Sequence, residues 1–274
     1  MEAGGLRRLD AEDIPALGEL AAAVTWNPAL DAWRWMLGVG VAYGVDDGER
    51  LAGATLVFAY GEALAMLAMM MVRPERQRAG VGKVLLDRAL ASVHDQTVMA
   101  LYATQAGERL YRPSGFVDAG SSVRFEGLPD VASAPRVTRE ARVEDLAAIV
   151  ALDARAQGAP RALLIGSIAA RARGVVVERG GEIAGFGFSV PEDGALRLGP
   201  IAAARDDDAA AIAADLARGA GVVRLDLEPG EEALRSWAAH AGLPVAVVSP
   251  RLVRGGAMPG ERRLVRALAG RPFG

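Results

Sequence analysis

Along the chain, apolar residues recur either at every second position or at three-to-four residue spacing, and the switches between these periods mark out its elements. Leu6 to Leu9 reads as a short strand, and Asp10 is placed to cap a helix over Ala11 to Val24. A second helical stretch covers Asn27 to Leu37. Val39 to Val45 and Ala52 to Ala59 read as strands joined at Asp46-Asp47-Gly48, where Asp and Gly tolerate positive φ. The very apolar Leu64 to Val72 is expected to be a buried central strand. Val81 to Val93 places Val81, Val84, Leu85, Ala89 and Val93 on one helical face. A strand at Thr97 to Thr104, a helix ending near Ser114 and a strand at Phe116 to Phe125 follow. Gly127 to Pro135 lacks periodicity and carries two prolines, so it reads as a linker.

Beyond that linker the same order of elements returns. Glu12-Asp13 reappears as Glu144-Asp145, and Leu51-Ala52-Gly53 as Ile183-Ala184-Gly185, at one common offset. Gly115-Phe116 matches Gly242-Leu243 at a shorter offset, so the second copy has lost residues in between, expectedly at a Gly-rich loop. A repeat this long predicts two domains of one fold: residues 1–126, a linker at 127–135 and residues 136–274. The fold class is α/β (α+β by some schemes), each domain a mixed, mostly antiparallel sheet flanked by helices.

Composition narrows the function. With 274 residues, 51% of them hydrophobic, the chain can bury a sizeable core. Its formal charge of −3 comes from interspersed charges, which favours a small-molecule substrate over nucleic acid or a membrane surface. There is no cysteine, which excludes disulfides and a cysteine nucleophile, and His94 and His240 are the only histidines, so no metal site is expected. Glu2, Arg7, Arg8 and Asp10 do not make a signal peptide, and no uncharged stretch approaches the ~20 residues of a membrane span. A cytoplasmic location is expected.

The candidate chemistry lies in Met70-Met71-Val72-Arg73-Pro74-Glu75-Arg76-Gln77-Arg78-Ala79-Gly80-Val81-Gly82-Lys83. A buried strand stops at a proline, a basic loop follows, and two glycines open a helix. The helix start presents unpaired N–H groups, the glycines let the backbone approach a ligand, and Arg73, Arg76, Arg78 and Lys83 add charge, which together suit an anion. The Rossmann pattern fails for want of a third glycine. The Walker pattern fails because Val84 follows Lys83 and Gly80 stands too close to Gly82.

The run from Arg73-Pro74 to Gln77-Arg78-Ala79-Gly80-Val81-Gly82 resembles the acetyl-CoA pyrophosphate loop of the GNAT N-acetyltransferase superfamily, Q/R-x-x-G-x-G/A. Leu110-Tyr111-Arg112-Pro113-Ser114-Gly115-Phe116 resembles that family's L-Y-x-x-x-G-F element. Trp26-Asn27, Asp31 and Trp33-Arg34 resemble a subgroup in which a complete GNAT domain precedes a degenerate one, so the resemblance covers nearly the whole chain. It implies acetyl-CoA as donor. The backbone of Met70 and Val72, with Met71 between them, would hold the pantetheine arm. Gln77, Arg78, Ala79, Gly80, Val81 and Gly82, with Lys83, would hold the pyrophosphate. The methionines at 66, 69, 70 and 71 either line the thioester slot or simply fill core.

A thioester is already activated, so an amine can attack it directly. The remaining tasks are to remove a proton from the amine, stabilise an oxyanion and protonate the departing thiolate. The resemblance assigns the last task to Tyr111. No base stands out among Glu62, Glu108, Asp31 and His94. The acceptor is expected to be a primary amine of a small molecule, with Trp26, Asn27, Trp33 and Asp226 as candidate contacts. A protein N-terminus or lysine is the alternative acceptor, and a non-catalytic acyl-CoA sensor the alternative role; a homodimer is compatible with the chain.

The second copy lacks this chemistry. At the loop position it reads Gly199-Pro200-Ile201-Ala202-Ala203-Ala204-Arg205-Asp206-Asp207-Asp208, where three carboxylates would repel a pyrophosphate. Ala238 stands where Tyr111 does. The first copy departs from the subgroup at Tyr102, where an acid is expected; its counterpart region, Leu225-Asp226-Leu227-Glu228, carries carboxylates.

Overall fold

The computed structural model describes residues 5–26, 28–104, 107–131 and 137–274. In the first half, β1 (Leu6–Leu9), α1 (Ile14–Ala23) and α2 (Leu30–Val39) precede the antiparallel strands β2 (Val41–Asp47), β3 (Arg50–Tyr60) and β4 (Leu64–Val72). Asp10 and Asp13 form a reciprocal cap just ahead of α1. After β4 come α3 (Val81–Leu90), β5 (Val98–Tyr102), the short α4 (Glu108–Tyr111) and β6 (Val117–Gly127). The second half repeats this order: β7 (Arg139–Glu140), α5 (Leu146–Gln157), α6 (Ala162–Ala169), β8 (Arg173–Arg179), β9 (Glu182–Glu192), β10 (Ala195–Ala203), α7 (Asp206–Ala217), β11 (Val223–Leu227), α8 (Glu232–His240) and β12 (Val245–Arg254). It then adds β13 (Val265–Ala267).

All these strands belong to one sheet, ordered β1-β2-β3-β4-β5-β12-β6-β11-β13-β10-β9-β8-β7. The halves have exchanged their last strands: β12 pairs with β5 of the first half, and β6 pairs with β11 of the second. The boundary near residue 126 therefore marks a repeat in the sequence without dividing the sheet. The helices extend the same arrangement. On one face α1, α2, α5 and α6 close over a single apolar core that runs through both halves, with Leu17, Leu20, Trp33, Ile149, Ile165 and Phe186 among its members. On the other face α3 and α4 cover the first half and α7 and α8 the second, as two separate clusters.

Each half contains one parallel strand pair that splays. β4 and β5 pair only at Leu64–Met66 with Val98–Ala100, and β10 and β11 only at Leu196–Arg197 with Val223–Arg224. Past those residues the strands diverge. In the second half β13 fills the gap, pairing with Ile201 and Ala202 on one side and with Leu227 on the other. In the first half no described strand enters it. No helix among the described residues is long and apolar enough to cross a membrane.

Candidate active site

The splay in the first half starts at a bulge. Residues of β4 alternate between the two faces of the sheet, Met66 to one and Leu67 to the other, until Ala68 and Met69 fall on the same face. Met69 has a left-handed backbone, φ 50°, and the register with β3 shifts there. Beyond it, Arg73 donates its amide to Ala52 of β3 at 2.9 Å. Alternation then turns the amides of Met70 and Val72 toward the open edge. On that edge, among the described residues, the Val72 carbonyl accepts only a long side-chain bond from Gln77 Nε2, 3.3 Å, which an incoming amide can replace. Met71 is different: its side chain is buried in the shared core, so any part it plays in binding is through its backbone.

The loop after β4 curls because Arg78 and Gly80 are both left-handed, φ 63° and 88°. For an arginine this conformation costs about 1–2 kcal/mol, strain of a kind that clusters where a loop clamps a ligand. Gly80 caps α3, and a Cβ there would meet nothing within 4 Å, so the space before the helix start is open. Of the four basic residues expected to face an anion, three have other partners. Arg73 donates to the Leu51 carbonyl at 2.7 Å, Arg76 grips Asp47 through two 2.6 Å bonds, and Lys83 pairs with Asp87 at 2.5 Å. Arg78 makes no ion pair among the described residues and is exposed, which leaves it as the cation available to the loop.

Tyr111 ends α4, largely buried, its ring edge-on to Phe116 at 5.8 Å between centroids. Its hydroxyl makes no hydrogen bond among the described residues. Burial pushes its pKa well above the ordinary phenol value, so the proton is retained at any physiological pH. The ring lies against Gly107, where a Cβ would come within 3.1 Å of Tyr111 Cε2 and 3.3 Å of Thr104 Oγ1. Thr104 in turn lines the main cavity.

That cavity, about 480 Å³, occupies the seam between the halves. Leu67, Ala68 and Met69 of β4 and the segment 102–104 form the wall at which the strands part. Ala32, Trp35 and Met36 of α2 form a second wall with Trp26, and the segment 270–273 a third. The far end is polar, with Arg124, Glu192, Arg197, Ser249 and Arg271. Phe273 is fixed against Trp35 and Phe58, 4.5 and 4.8 Å between ring centroids, and its carbonyl accepts from Tyr60 and from the buried Arg161.

Two of the acceptor contacts expected from sequence sit elsewhere. Trp33 is fully buried in the core and does not line this cavity. Successive helix positions are ~100° apart, so the face that carries Ala32, Trp35 and Met36 to the cavity turns Trp33 away. Asp226 is also fully buried and does not line the cavity. Arg124 holds it through two 2.9 Å bonds and Arg197 contacts it closely. Burial alone would raise the Asp226 pKa, but Arg197 and Arg124 hold it below the ordinary value, so it is an ionised partner of arginines. Trp26 does line the cavity, and Asn27 lies outside the described residues. Glu62, Glu108, Asp31 and His94 are all absent from the cavity lining. What sequence reading missed is the arginine end. Its signal was a charged residue inside apolar strand runs, as in Val123-Arg124-Phe125 and Leu196-Arg197-Leu198.

In the second half the corresponding opening is filled. The connection Arg73–Gly80 has become the dipeptide Ala204-Arg205 between β10 and α7, and β13 fills the splay. Of the three aspartates that open α7, Asp208 is buried against Arg179 and Asp206 meets Arg266 at 2.8 Å. Ala238, opposite Tyr111 in the repeat, is core.

One family model described as an acetyltransferase (GNAT) domain matches residues 29–133, and a second with the same description matches 149–265. A Bacillus subtilis protein called uncharacterized N-acetyltransferase YitH is 29% identical over 177 residues, 62% of this chain and 62% of that protein. The chain thus spans less than two thirds of that relative's length. A putative acetyltransferase from Pyrococcus horikoshii has a TM-score of 0.85 at 18% identity, covering 100% of this chain and 97% of that one. A tandem GNAT protein from the clavulanic acid biosynthesis pathway has a TM-score of 0.65 at 15% identity, covering 93% and 100%. At these identities the structural likeness is one of fold.

Proposed function

Because the chain belongs to the GNAT acetyltransferases, as two GNAT domains in tandem, we propose that it moves an acetyl group from acetyl-CoA to the primary amine of a small molecule, by direct attack. The observation that carries this reading is the open splay of β4 and β5, which has the anion-suited loop at one end and the 480 Å³ cavity at the other. Acetyl-CoA supplies an activated thioester, and the chain has four tasks to perform around it. The open edge of Met70 and Val72 offers strand-like hydrogen bonds to an amide-bearing arm. The segment Gln77–Lys83 offers first-turn amides and Arg78 to a pyrophosphate. Tyr111, neutral and with a hydroxyl that makes no hydrogen bond among the described residues, holds a proton for the departing thiolate. The cavity takes the acceptor.

The test is calorimetric titration of acetyl-CoA into the wild type and into Arg78→Glu. Both side chains bear the same left-handed backbone cost, so the change isolates charge. Micromolar binding to the wild type, weakened about tenfold or more by the reversal, is expected. No binding to the wild type would sink the enzyme reading. Equal binding by both would move the pyrophosphate away from this loop.

A further inference from the structure

The polar end of the cavity has a charge imbalance. Among the described residues, Arg124, Arg197 and Arg271 converge there on only two carboxylates, Asp226 and Glu192. Arg224 also reaches Glu192, at 3.3 Å, but brings its own partner in Glu126 at 3.1 Å, so the count stays one carboxylate short. The most weakly paired of these cations is Arg271. Its Nε is 3.5 Å from Asp226, beyond hydrogen-bond distance, and its Nη1 donates to the Ser249 hydroxyl, a neutral partner. Its Nη2, like Nη1 of Arg124, has no hydrogen bond among the described residues. Both arginines line the cavity with less than a quarter of their side chains exposed. Burial depresses the Arg271 pKa, and the attraction of Asp226 is opposed by Arg124 and Arg197. A guanidinium remains charged all the same, and a largely desolvated cation that shares its one carboxylate with two other arginines is costly.

We propose that this end of the cavity binds a carboxylate carried by the amine acceptor, with Arg271 and Arg124 as its ligands, so that the acceptor class is amino carboxylic acids. This inference rests on the acyl-transfer reading only for the fate of the amine; the carboxylate site itself is independent of it. The geometry suits such a molecule. A carboxylate completes the ion pairing at the arginine end, the aromatic wall of Trp35 and Phe273 takes an apolar body, and Leu67 to Met69, beyond the point where β4 and β5 part, line the same cavity. Asp226, buried beneath, holds Arg124 and Arg197 in place for this role.

The experiment compares free amino acids with their carboxamides and their aminophosphonate analogues. Each is measured by direct calorimetric binding and as an acceptor with acetyl-CoA, using wild type, Arg271→Gln and Arg271→Lys. The acids are expected to exceed the carboxamides by about tenfold or more in affinity and in 1/KM. Arg271→Gln should bring that ratio close to one, and Arg271→Lys should restore part of it. Acids bound no better than carboxamides, a ratio unmoved by Arg271→Gln, or phosphonates preferred over carboxylates would each overturn the proposal. Failure of acetyl transfer with carboxylate-dependent binding intact would instead count against the acyl-transfer reading alone.

Discussion

At Tyr111 one oxygen atom separates two roles for the same ring. The ring packs edge-on against Phe116 within the α3-side core, and a phenylalanine would keep that contact. The hydroxyl is what a thioester would need, so Tyr111→Phe isolates it. A fall in kcat of about 10²-fold is expected, with acetyl-CoA affinity, read by calorimetry, essentially unchanged. Retention of full turnover would remove Tyr111 from the chemistry. The same residue has a pH signature. Its folded pKa lies above the unfolded value of about 10, so the stability it contributes is present in full below pH ~10 and lost as pH rises through the folded pKa. Tyr111→Phe should therefore flatten the decline of Tm above pH 10. It should not abolish it, because burial raises Tyr60 and Tyr102 in the same direction.

At the scale of elements, the second half has its strand splay filled from within. β13 lies where the strands part, and Gly199 of β10 lies so close beneath it that a Cβ would stand 2.0 Å from the Leu268 carbonyl oxygen. That atom is backbone and has little room to yield. Gly199→Ala is expected to cost about 3 kcal/mol, read as a lowered urea midpoint with acetyl-CoA affinity unaltered. Gly18→Ala, within α1 and with nothing within 4 Å of its Cβ, should instead stabilise by up to ~1 kcal/mol. Most elements were legible beforehand. Leu64–Val72 has the bounds that its apolar run predicts, Val81 opens α3 as expected, and the hairpin expected at Asp46-Asp47-Gly48 forms with its turn shifted, since Asp46 and Asp47 still pair within β2 and the turn begins at Gly48, φ 64°. Period and turn chemistry are local, and these features depend on little else. β13 was not legible: three residues in a tail rich in Gly and Arg become a strand only because two diverging edges pair with them. The candidate site divides in the same way. The loop at Gln77–Lys83 and the edge of β4 could be read from motif and apolar run, whereas Trp35, Phe273 and the arginines at 124, 197 and 271 meet only through the folded chain.

Across the whole molecule, what the repeat conceals is the exchange of β6 and β12. Two copies in sequence suggest two bodies, but a strand's alternation says which face it buries and nothing about its neighbour. Here β5 has β12 as its partner and β6 lies between β12 and β11, so neither half can complete its sheet alone. The cavity has the same dependence, since Leu67 to Met69 of one half face Arg197, Ser249 and the segment 270–273 of the other. Melting one half while the other stays folded would break the β5–β12 and β6–β11 ladders and open the core that α1, α2, α5 and α6 share. A single calorimetric transition, with calorimetric and van't Hoff enthalpies in agreement, is therefore expected for the 274-residue chain. Two resolved transitions would mean that the exchanged strands bind the halves weakly. Residues 1–131 produced alone should expose the unpaired edges of β5 and β6 and associate on gel filtration, because such edges template pairing with another chain. Production together with residues 137–274 should restore one soluble complex and, with it, the cavity between them.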